Sequence, residues 1–393
     1  MLNIRNMMDA VNTIGSIVAN QNQKKQEKKK EEEEPAKHDK TADRPAASAK
    51  PAEKAAPKTA EKTSAKSGFT TSGAFAPSLD MERYWRFNYG LLDAADRDLY
   101  EKMEAALLKA EPEIIVTCRK EPTVKYLMSV LIAVIEDNWA LFYVENSLSV
   151  ATRGNEAKII FVYNKFLQDR DGYRKKMENV AKKVFEGRVK NCKTRFSAEL
   201  AIHDYLVETV KYDNTDKIAS HSPVGPLLTG KGVCEGIAEA FGFLCCVCGV
   251  KVAMVSGTLD GSGHRWNVIE LGGSRYHVDV TADLSGIHAF FNNDDALMRR
   301  THGFDRKTEC TETKYNYYTV KKCRFKTVGD SLPFIEEMLA KGTNEFEIMV
   351  ESNPDSKAVL EVVKKGMMEA RKSGRINTVS SNNGCFRISI VQG

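Results

Sequence analysis

A cysteine, a histidine and an aspartate stand in three short segments that could together carry out nucleophilic chemistry. The segments are Gly-Val-Cys-Glu-Gly (232–236), Gly-His-Arg-Trp-Asn (263–267) and Tyr-His-Val-Asp-Val-Thr (276–281). A thiol becomes a good nucleophile when a base removes its proton, and an imidazole base works best when a carboxylate fixes its tautomer. Cys234, His264 and Asp279 are therefore predicted to be a nucleophile, a base and the residue that orients the base.

Cys234 is expected to begin a helix. Two glycines shortly before it permit a tight turn, and Gly249 is a good stop for a helix. Apolar residues at three- and four-residue steps give the segment between them one buried face: Ile237, Phe241, Leu244, Cys245 and Cys248. A cysteine at the N-terminus of such a helix feels the positive end of the helix dipole, which favours the thiolate.

His264 and Asp279 are expected on neighbouring strands of one hairpin. Residues 264–271 and 274–281 alternate as strands around a Gly-Gly pair that suits a tight turn. With the turn centred there, Trp266 lies opposite Asp279. His264 and Asp279 then share a face as diagonal neighbours, roughly 7–8 Å apart at the backbone, which an imidazole–carboxylate hydrogen bond can span.

The three segments resemble the sequence boxes of the transglutaminase-like superfamily, whose papain-like fold is shared by transglutaminases, bacterial cysteine proteases and peptide:N-glycanases. The resemblance covers about residues 197–320 and is to the bacterial branch, whose tail is similar to these downstream residues: Phe290-Phe291-Asn292, Asp294-Asp295, His302 and Asn316-Tyr317-Tyr318. Three ordered boxes make a specific signal. The resemblance implies an α+β fold with a nucleophile helix packed on an antiparallel sheet, and a catalytic triad of Cys234, His264 and Asp279.

Two positions depart from the family pattern. Ala282 stands where the bacterial pattern usually has a tryptophan, and Ile237 where many members have an aromatic residue. We expect both to change the shape near the cleft. They would then alter the substrate rather than the reaction.

Two further histidines are expected to be structural. His203 lies on a predicted amphipathic helix, where a packed histidine is more common than a catalytic one. His277 shares the face of Asp279 and could add a second imidazole to the cleft, but packing is the simpler role. In the loop before Cys234, either His221 or Ser222 could supply an oxyanion donor beside the Cys234 backbone N–H.

The composition is that of a soluble protein. Its 58 basic and 53 acidic residues give a net charge of only +5, and no basic face with aromatic platforms indicates nucleic acid. No apolar run approaches the roughly 20 residues that cross a bilayer.

Nine cysteines, an odd number, do not indicate a disulfide framework. Cys245 and Cys248 have metal or redox spacing, but they fall at the C-terminal end of the predicted helix and no second pair follows, so buried apolar cysteines are expected. The first twenty residues lack the apolar core of a secretory signal. We therefore expect a cytoplasmic location, with a secreted or cell-surface one left open.

The chain divides into five predicted segments. The first is an amphipathic helix that could dock on a partner or a membrane surface, or pack on its own domain, and the second is too rich in charge, alanine and proline to bury a core. The segments are an amphipathic helix (1–20), a disordered charged linker (21–79), an N-terminal mixed α/β domain (80–196), the catalytic domain (197–319) and a small C-terminal βαβαβ unit (320–393).

These features favour an acyl-transfer enzyme acting on a protein or peptide substrate. The Cys234 thiolate would attack an amide carbonyl to form a thioester, which water resolves in a cysteine protease or amidase and an amine resolves in a transglutaminase. The sequence does not separate these outcomes. The alternative is a catalytically silent binding or scaffold module of the same fold. Neither hypothesis requires a metal or an organic cofactor.

Overall fold

The computed structural model describes residues 75–215, 217–304 and 308–391. The predicted helix at 1–20 and most of the predicted linker lie outside this range. Residues 75–79 of that linker are described, and Phe75 packs against the main core. The structured chain therefore reaches back five residues beyond the predicted boundary.

The N-terminal region is a helical layer with a three-stranded antiparallel sheet of order β1-β3-β2. Its elements are the helices Phe87–Leu91, Ala94–Leu108 and Val124–Asp137 and the strands β1 (Glu113–Thr117), β2 (Val144–Arg153) and β3 (Glu156–Tyr163). The branched and aromatic residues at 141–144 favour a strand, but only Val144 belongs to one. Trp139–Leu141 is a 3-10 turn whose first residues are held by the Asn138 side chain, which accepts the Ala140 N–H at 3.1 Å.

The next segment of the chain leads to Cys234. It contains the helices Arg170–Val184 and Arg195–Thr209, a π-turn (Phe185–Val189), a 3-10 turn (Ile218–His221), the helix Val224–Thr229, and two short parallel strands, β4 (Lys211–Tyr212) and β5 (Lys231–Gly232). Residues 212–229 were expected to be a loop because of their prolines and glycines. The helix forms there because Gly225 lets it pack closely: a Cβ at Gly225 would lie 2.4 Å from the Ala219 carbonyl oxygen.

The helix Cys234–Val247, called here the Cys234 helix, packs on a five-stranded antiparallel sheet of order β10-β6-β7-β8-β9. The strands are β6 (Lys251–Leu259), β7 (Ser262–Leu271), β8 (Ser274–Val278), β9 (Phe291–Asn293) and β10 (His302–Gly303). The hairpin register is confirmed: Leu271 pairs with Ser274 and Asn267 with Val278. The nucleophile helix on an antiparallel sheet is the α+β arrangement that the sequence predicted.

One hydrophobic cluster joins the N-terminal region, the Cys234 helix and the sheet. It buries Leu131 from the helix Val124–Asp137 and Phe243 from the Cys234 helix completely. Trp139 packs against Phe243 with ring centroids 4.3 Å apart. The N-terminal region was predicted as a domain of its own. In the structure it shares its core with the Cys234 helix and supports that helix from behind.

The C-terminal unit has a separate core. It contains the helices Leu332–Ala340 and Ser356–Glu369 and the strands β11 (Arg324–Phe325), β12 (Glu345–Val350), β13 (Arg375–Ser380) and β14 (Cys385–Val391), in the order β11-β12-β14-β13. The first strand of the predicted βαβαβ unit, β11, is shorter than expected because the helix Tyr317–Val320 occupies its start. Strand β13 was not predicted, since it is a polar, largely exposed edge strand.

The short helix Asp295–Met298 lies between β9 and β10 in the chain. In the described ranges, no helix combines the length and the apolar character needed to span a bilayer.

Candidate active site

Cys234 is the first residue of its helix and is only partly buried. The preceding residue, Val233, is extended and donates its N–H to the Ser220 carbonyl at 3.0 Å, which holds the helix start against the turn Ile218–His221. Gly236 is needed for this contact, because a Cβ there would lie 2.3 Å from the Ser220 carbonyl oxygen. The sulfur is thus fixed at the positive end of a 14-residue helix.

His264 and Asp279 meet as the hairpin register predicts. The distance from His264 Nε2 to Asp279 Oδ2 is 2.6 Å, and both side chains are almost completely buried. His264 also interacts with the Cys234 thiol and acts to lower its pKa. Asp279 Oδ1 also accepts the Ala282 N–H at 3.1 Å. The structure therefore brings the three predicted site residues together in the order sulfur, imidazole, carboxylate.

The electrostatics of the three groups favour an ion pair. Burial acts to raise the pKa of Cys234, but the hydrogen bond and charge of His264 outweigh it, so the pKa of the thiol is lowered. Burial acts to lower the pKa of His264, and the charge of Asp279 reverses this and raises the pKa to about 10. Burial alone would raise the pKa of Asp279, yet the two imidazoles beside it hold that pKa well below its usual range.

The second of those imidazoles belongs to His302, on strand β10. Its Nε2 lies 3.0 Å from the same Asp279 oxygen that His264 contacts, and its Nδ1 lies 2.9 Å from Thr301 Oγ1. His302 appeared in the sequence only as part of the family-like tail. No periodicity or spacing connects it with Asp279, so this contact had no signal in the sequence beyond the resemblance.

Trp266 and His277 form the floor beneath these groups. Trp266 is 1% exposed and stacks on His264 at a centroid distance of 6.0 Å. It therefore shields the His264–Asp279 bond from water. It donates Nε1–H to His277 Nδ1 at 3.0 Å. His277 Nε2 lies 2.8 Å from Asp295 Oδ1. His277 is therefore a fully buried packing histidine, as predicted, and does not enter the cleft.

Glu235 and Arg265 form an ion pair that was not predicted from the sequence. They directly follow Cys234 and His264 in the chain. Arg265 Nη1 donates to Glu235 Oε1, and both side chains are largely buried. Glu235 Oε1 also accepts Asn146 Nδ2–H from β2 at 2.7 Å, and Oε2 lies 3.1 Å from His221 Nδ1. This pair ties the start of the Cys234 helix to strand β7 one residue away from each reacting side chain.

The two predicted oxyanion candidates are both engaged elsewhere. His221 pairs with Glu235, and Ser222 Oγ donates to the Ala219 carbonyl at 3.2 Å. Tyr212, at the end of β4, is exposed, and its hydroxyl lies near the Cys234 backbone N–H. Tyr212 is therefore a better-placed donor. It precedes Cys234 by 22 positions in the chain and is brought near it by the short parallel pair β4–β5.

The remaining sequence candidates have structural roles. Cys245 and Cys248 are buried, and burial raises the pKa of Cys248 to about 12, so they are inert apolar cysteines as expected. The expectation that Ile237 shapes the cleft is wrong, because Ile237 is fully buried in the main core. Ala282 contributes its backbone N–H to Asp279. His203 lies elsewhere, beside the C-terminal unit.

A cavity of about 310 Å³ lies behind the Cys234 helix, against the N-terminal region. Five carboxylate side chains line it together with aromatic and aliphatic groups: Glu136, Asp137, Glu145, Glu235 and Glu239. None of the three triad residues borders this cavity. A substrate would therefore reach Cys234 from the protein surface and not through this cavity.

Comparison with known proteins identifies the family of the central part of the chain. Residues 182–283 match the family described as the transglutaminase-like superfamily, and this range contains Cys234, His264 and Asp279. No curated protein sequence matches the chain significantly.

Several solved structures have detectable similarity, among them the following two. One is a proposed cysteine protease from Cytophaga hutchinsonii, with 12% identity over 34% of this chain and 61% of that protein, and the other is described as a TGase, with 13% identity over 43% and 50%. The chain thus spans only about half to three fifths of their lengths. Both TM-scores are 0.25, so neither similarity supports a conclusion about this protein.

Proposed function

Because residues 182–283 belong to the transglutaminase-like superfamily, we propose that this protein is a cysteine-nucleophile acyl-transfer enzyme acting on amides of a protein or peptide. The observation that supports the proposal most is the contact between the three side chains. A thiol at a helix N-terminus is hydrogen-bonded to an imidazole, which a buried carboxylate holds at 2.6 Å. This is the arrangement that nucleophilic catalysis by cysteine requires.

The reaction would proceed in two halves. The Cys234 thiolate attacks the amide carbonyl carbon and forms a C–S bond, while the carbonyl oxygen gains negative charge. The His264 imidazolium gives its proton to the departing amine, and the C–N bond breaks to leave a thioester. Water or a second amine then attacks the thioester as His264 removes its proton, and the thiolate leaves.

Developing charge on the carbonyl oxygen needs donors beside Cys234. The Cys234 backbone N–H lies at the helix start, and the Tyr212 hydroxyl lies near it. In the proposed reaction the substrate oxygen takes the position between these two groups and accepts from both. Such donors stabilise the transition state more than the ground state.

Covalent labelling tests the proposal at the sulfur. The full chain is treated with a peptide haloacetamide, and the labelled residue is identified by mass spectrometry. We expect rapid labelling at Cys234 and none at that site in Cys234→Ala, with Cys192→Ala as a matched control because Cys192 is also partly exposed. Equal labelling of Cys192 and Cys234 in the wild type would contradict an activated nucleophile.

Turnover is tested on a mixed peptide library with added primary amine. Cleavage, deamidation and amine incorporation are scored together by mass spectrometry, which separates a protease, an amidase and a transglutaminase. The activity should require both Cys234 and His264. If the wild type converts nothing and Cys234 alkylates no faster than a free thiol, the silent binding module is the better description.

A further inference from the structure

A second cluster of imidazoles and carboxylates lies where the C-terminal unit meets the central sheet. It is formed by His203 and Asp204 on the helix Arg195–Thr209, by His288 in the loop before β9, and by two further carboxylates behind the rings. We propose that His203, Asp204 and His288 are the protein ligands of a zinc-type divalent metal ion. The site is separate from the triad and does not depend on the proposed function.

The ligand atoms already converge. Asp204 Oδ1 lies 3.1 Å from His203 Nδ1 and 3.0 Å from His288 Nε2, and the three atoms all lie within 4.8 Å of one another. Ligand atoms on a tetrahedral zinc ion are about 3.3 Å apart, given metal–ligand bonds of about 2.0–2.1 Å. For an ion to enter, the two contacts of Asp204 would widen by a few tenths of an ångström, and the two imidazole nitrogens, which lie within 4.8 Å of each other, would adjust to about 3.3 Å.

The outer nitrogen of each ring is held by its own carboxylate. Asp283 Oδ2 lies 3.2 Å from His203 Nε2, and Glu347 Oε1 lies 2.9 Å from His288 Nδ1. Metal-binding histidines usually have this second carboxylate, which fixes the tautomer and points the free nitrogen at the metal. Here both histidines have it.

The rings and the outer carboxylates are also immobilised. Tyr317 stacks on His288 with centroids 3.9 Å apart and planes 3° from parallel. The Phe290 N–H donates to Asp283 at 3.0 Å. Glu347 accepts the His288 backbone N–H at 3.0 Å. Preorganisation of this kind lowers the cost of ordering the ligands when a metal binds.

There is also room and access for an ion. All three ligand residues line a cavity of about 340 Å³, and their side-chain exposures are 1% for His203, 37% for Asp204 and 16% for His288. Three protein ligands leave one tetrahedral position for water. Two imidazoles with one carboxylate suit zinc and other first-row divalent metals better than calcium or magnesium, which prefer oxygen ligands.

The position of the site indicates what the metal would do. His203 and Asp204 belong to the central domain, whereas Glu347 behind His288 is on β12 of the C-terminal unit. The three ligands all lie in the central domain, so the ion would act on the C-terminal unit only through His288, whose other ring nitrogen lies 2.9 Å from Glu347 Oε1. A metal that binds only the folded arrangement contributes its binding free energy to stability.

The ligands were not detected in the sequence because His288 is 84 positions from Asp204, whereas sequence motifs for metals depend on short spacings.

The test uses the full chain, stripped with a chelator and titrated with zinc sulfate by calorimetry, with bound metal measured by mass spectrometry. We expect roughly one zinc per chain and a higher melting temperature on binding. Asp204→Asn and His288→Gln should abolish stoichiometric binding, and Glu347→Gln should weaken it by about 10–100-fold. Cys234→Ala and Cys310→Ser should bind zinc normally. Each removes a thiol that lies near a different histidine and carboxylate, outside the proposed site.

Cobalt(II) separates this site from a thiolate site. The bound ion should give the visible bands of tetrahedral cobalt without a sulfur-to-cobalt charge-transfer band. Asp204 is partly exposed, so its asparagine variant should fold, and circular dichroism checks this. The proposal is overturned if zinc does not bind stoichiometrically, which would leave an ion-pair network alone. It is equally overturned if binding survives Asp204→Asn and is lost in Cys234→Ala or Cys310→Ser.

Discussion

At the scale of single residues, the ion pair between Cys234 and His264 predicts the pH dependence of reactivity. The pKa of the thiol is lowered and that of the imidazole is raised to about 10, so the thiolate forms while the imidazole still holds its proton. Haloacetamide alkylation of Cys234 should therefore persist to lower pH than alkylation of a free thiol. In His264→Ala it should rise steeply with pH, because burial alone raises the pKa of the thiol. Identical pH profiles for the two proteins would contradict the ion pair.

The same raised pKa sets the alkaline limit of activity. The His264 proton is needed for the departing amine, so kcat/KM should fall as the pH rises through about 10. The contribution of the same ionisation to the free energy of unfolding also decreases at high pH. The imidazolium stabilises the fold fully below about pH 6.5, the usual pKa of histidine, and this contribution is lost as the pH rises through about 10.

Tyr212→Phe should lower kcat and leave KM nearly unchanged. The change removes only a hydroxyl that lies near the Cys234 backbone N–H, and an oxyanion donor acts mainly in the transition state. The loss of one such donor typically costs about 10²–10³-fold in kcat. Steady-state kinetics on the substrate found by the library screen measures the effect. A change confined to KM would instead indicate that Tyr212 contacts the substrate in its ground state.

His302→Phe should weaken catalysis through Asp279. His302 Nε2 lies 3.0 Å from the Asp279 oxygen that holds His264, and phenylalanine has a similar shape but no donor. The pKa of Asp279 should rise, and the carboxylate should lose a contact that positions it against His264. We expect a lower kcat and a shift of the alkaline limb of the pH profile to higher pH, because more of the charge of Asp279 then acts on the His264 imidazolium. His302→Gln, which can still donate, is the matched control, and an unshifted profile in His302→Phe would contradict this role.

At the scale of elements, the Glu235–Arg265 pair aligns the Cys234 helix with strand β7. Arg265→Leu should destabilise the protein by about 3–5 kcal/mol, because it leaves the charge of Glu235 largely buried without its main partner. The double variant Glu235→Gln/Arg265→Leu should recover part of that loss. Urea unfolding of both variants measures this. Additive losses in the two single variants and the double variant would show that the pair is not coupled.

The same elements illustrate what the sequence can predict. The Cys234 helix and the hairpin were predictable because their periodicity, glycine stops and turn are local, and a fixed register places His264 against Asp279. The partners that complete the site were not. Glu235 meets Arg265 across 30 positions, and His302 meets Asp279 across 23. Neither contact follows from a periodic pattern within one element.

Element type was also mispredicted where tertiary contacts overrule composition. Residues 224–229 form a helix despite their proline and glycines, because Gly225 packs directly against neighbouring backbone. Edge strand β13 was not predicted because its exposed face is polar and because, among the described strands, it pairs with β14 alone. In both cases the missing information is the neighbouring segment rather than the residues themselves.

At the scale of the whole molecule, the central sheet is supported on two sides. The N-terminal region continues the main core behind the Cys234 helix. The C-terminal unit has its own core and also contributes Met349 and Cys385 to a second hydrophobic cluster that contains Trp266 and Val268 of the sheet. Glu347 adds polar contacts: it accepts from the His288 backbone at 3.0 Å, lies 2.9 Å from His288 Nδ1, and accepts the buried Tyr318 hydroxyl at 2.9 Å. Attachment of the unit should therefore depend on both the apolar cluster and this carboxylate.

Glu347→Ala should loosen the C-terminal unit and destabilise the protein by about 3 kcal/mol, because it leaves the Tyr318 hydroxyl and the His288 N–H without their acceptor. Glu345→Ala is the matched control two residues earlier on β12. Its carboxylate is more than half exposed and pairs with Arg387, so its loss should cost less than about 1 kcal/mol. Urea unfolding and limited proteolysis, both in the presence of a chelator so that no metal contributes, compare the two variants. Since the triad is positioned by the central sheet and the shared core, alkylation of Cys234 should remain fast in Glu347→Ala. Loss of that reactivity together with the loosened unit would mean that the C-terminal unit helps to hold the triad in place.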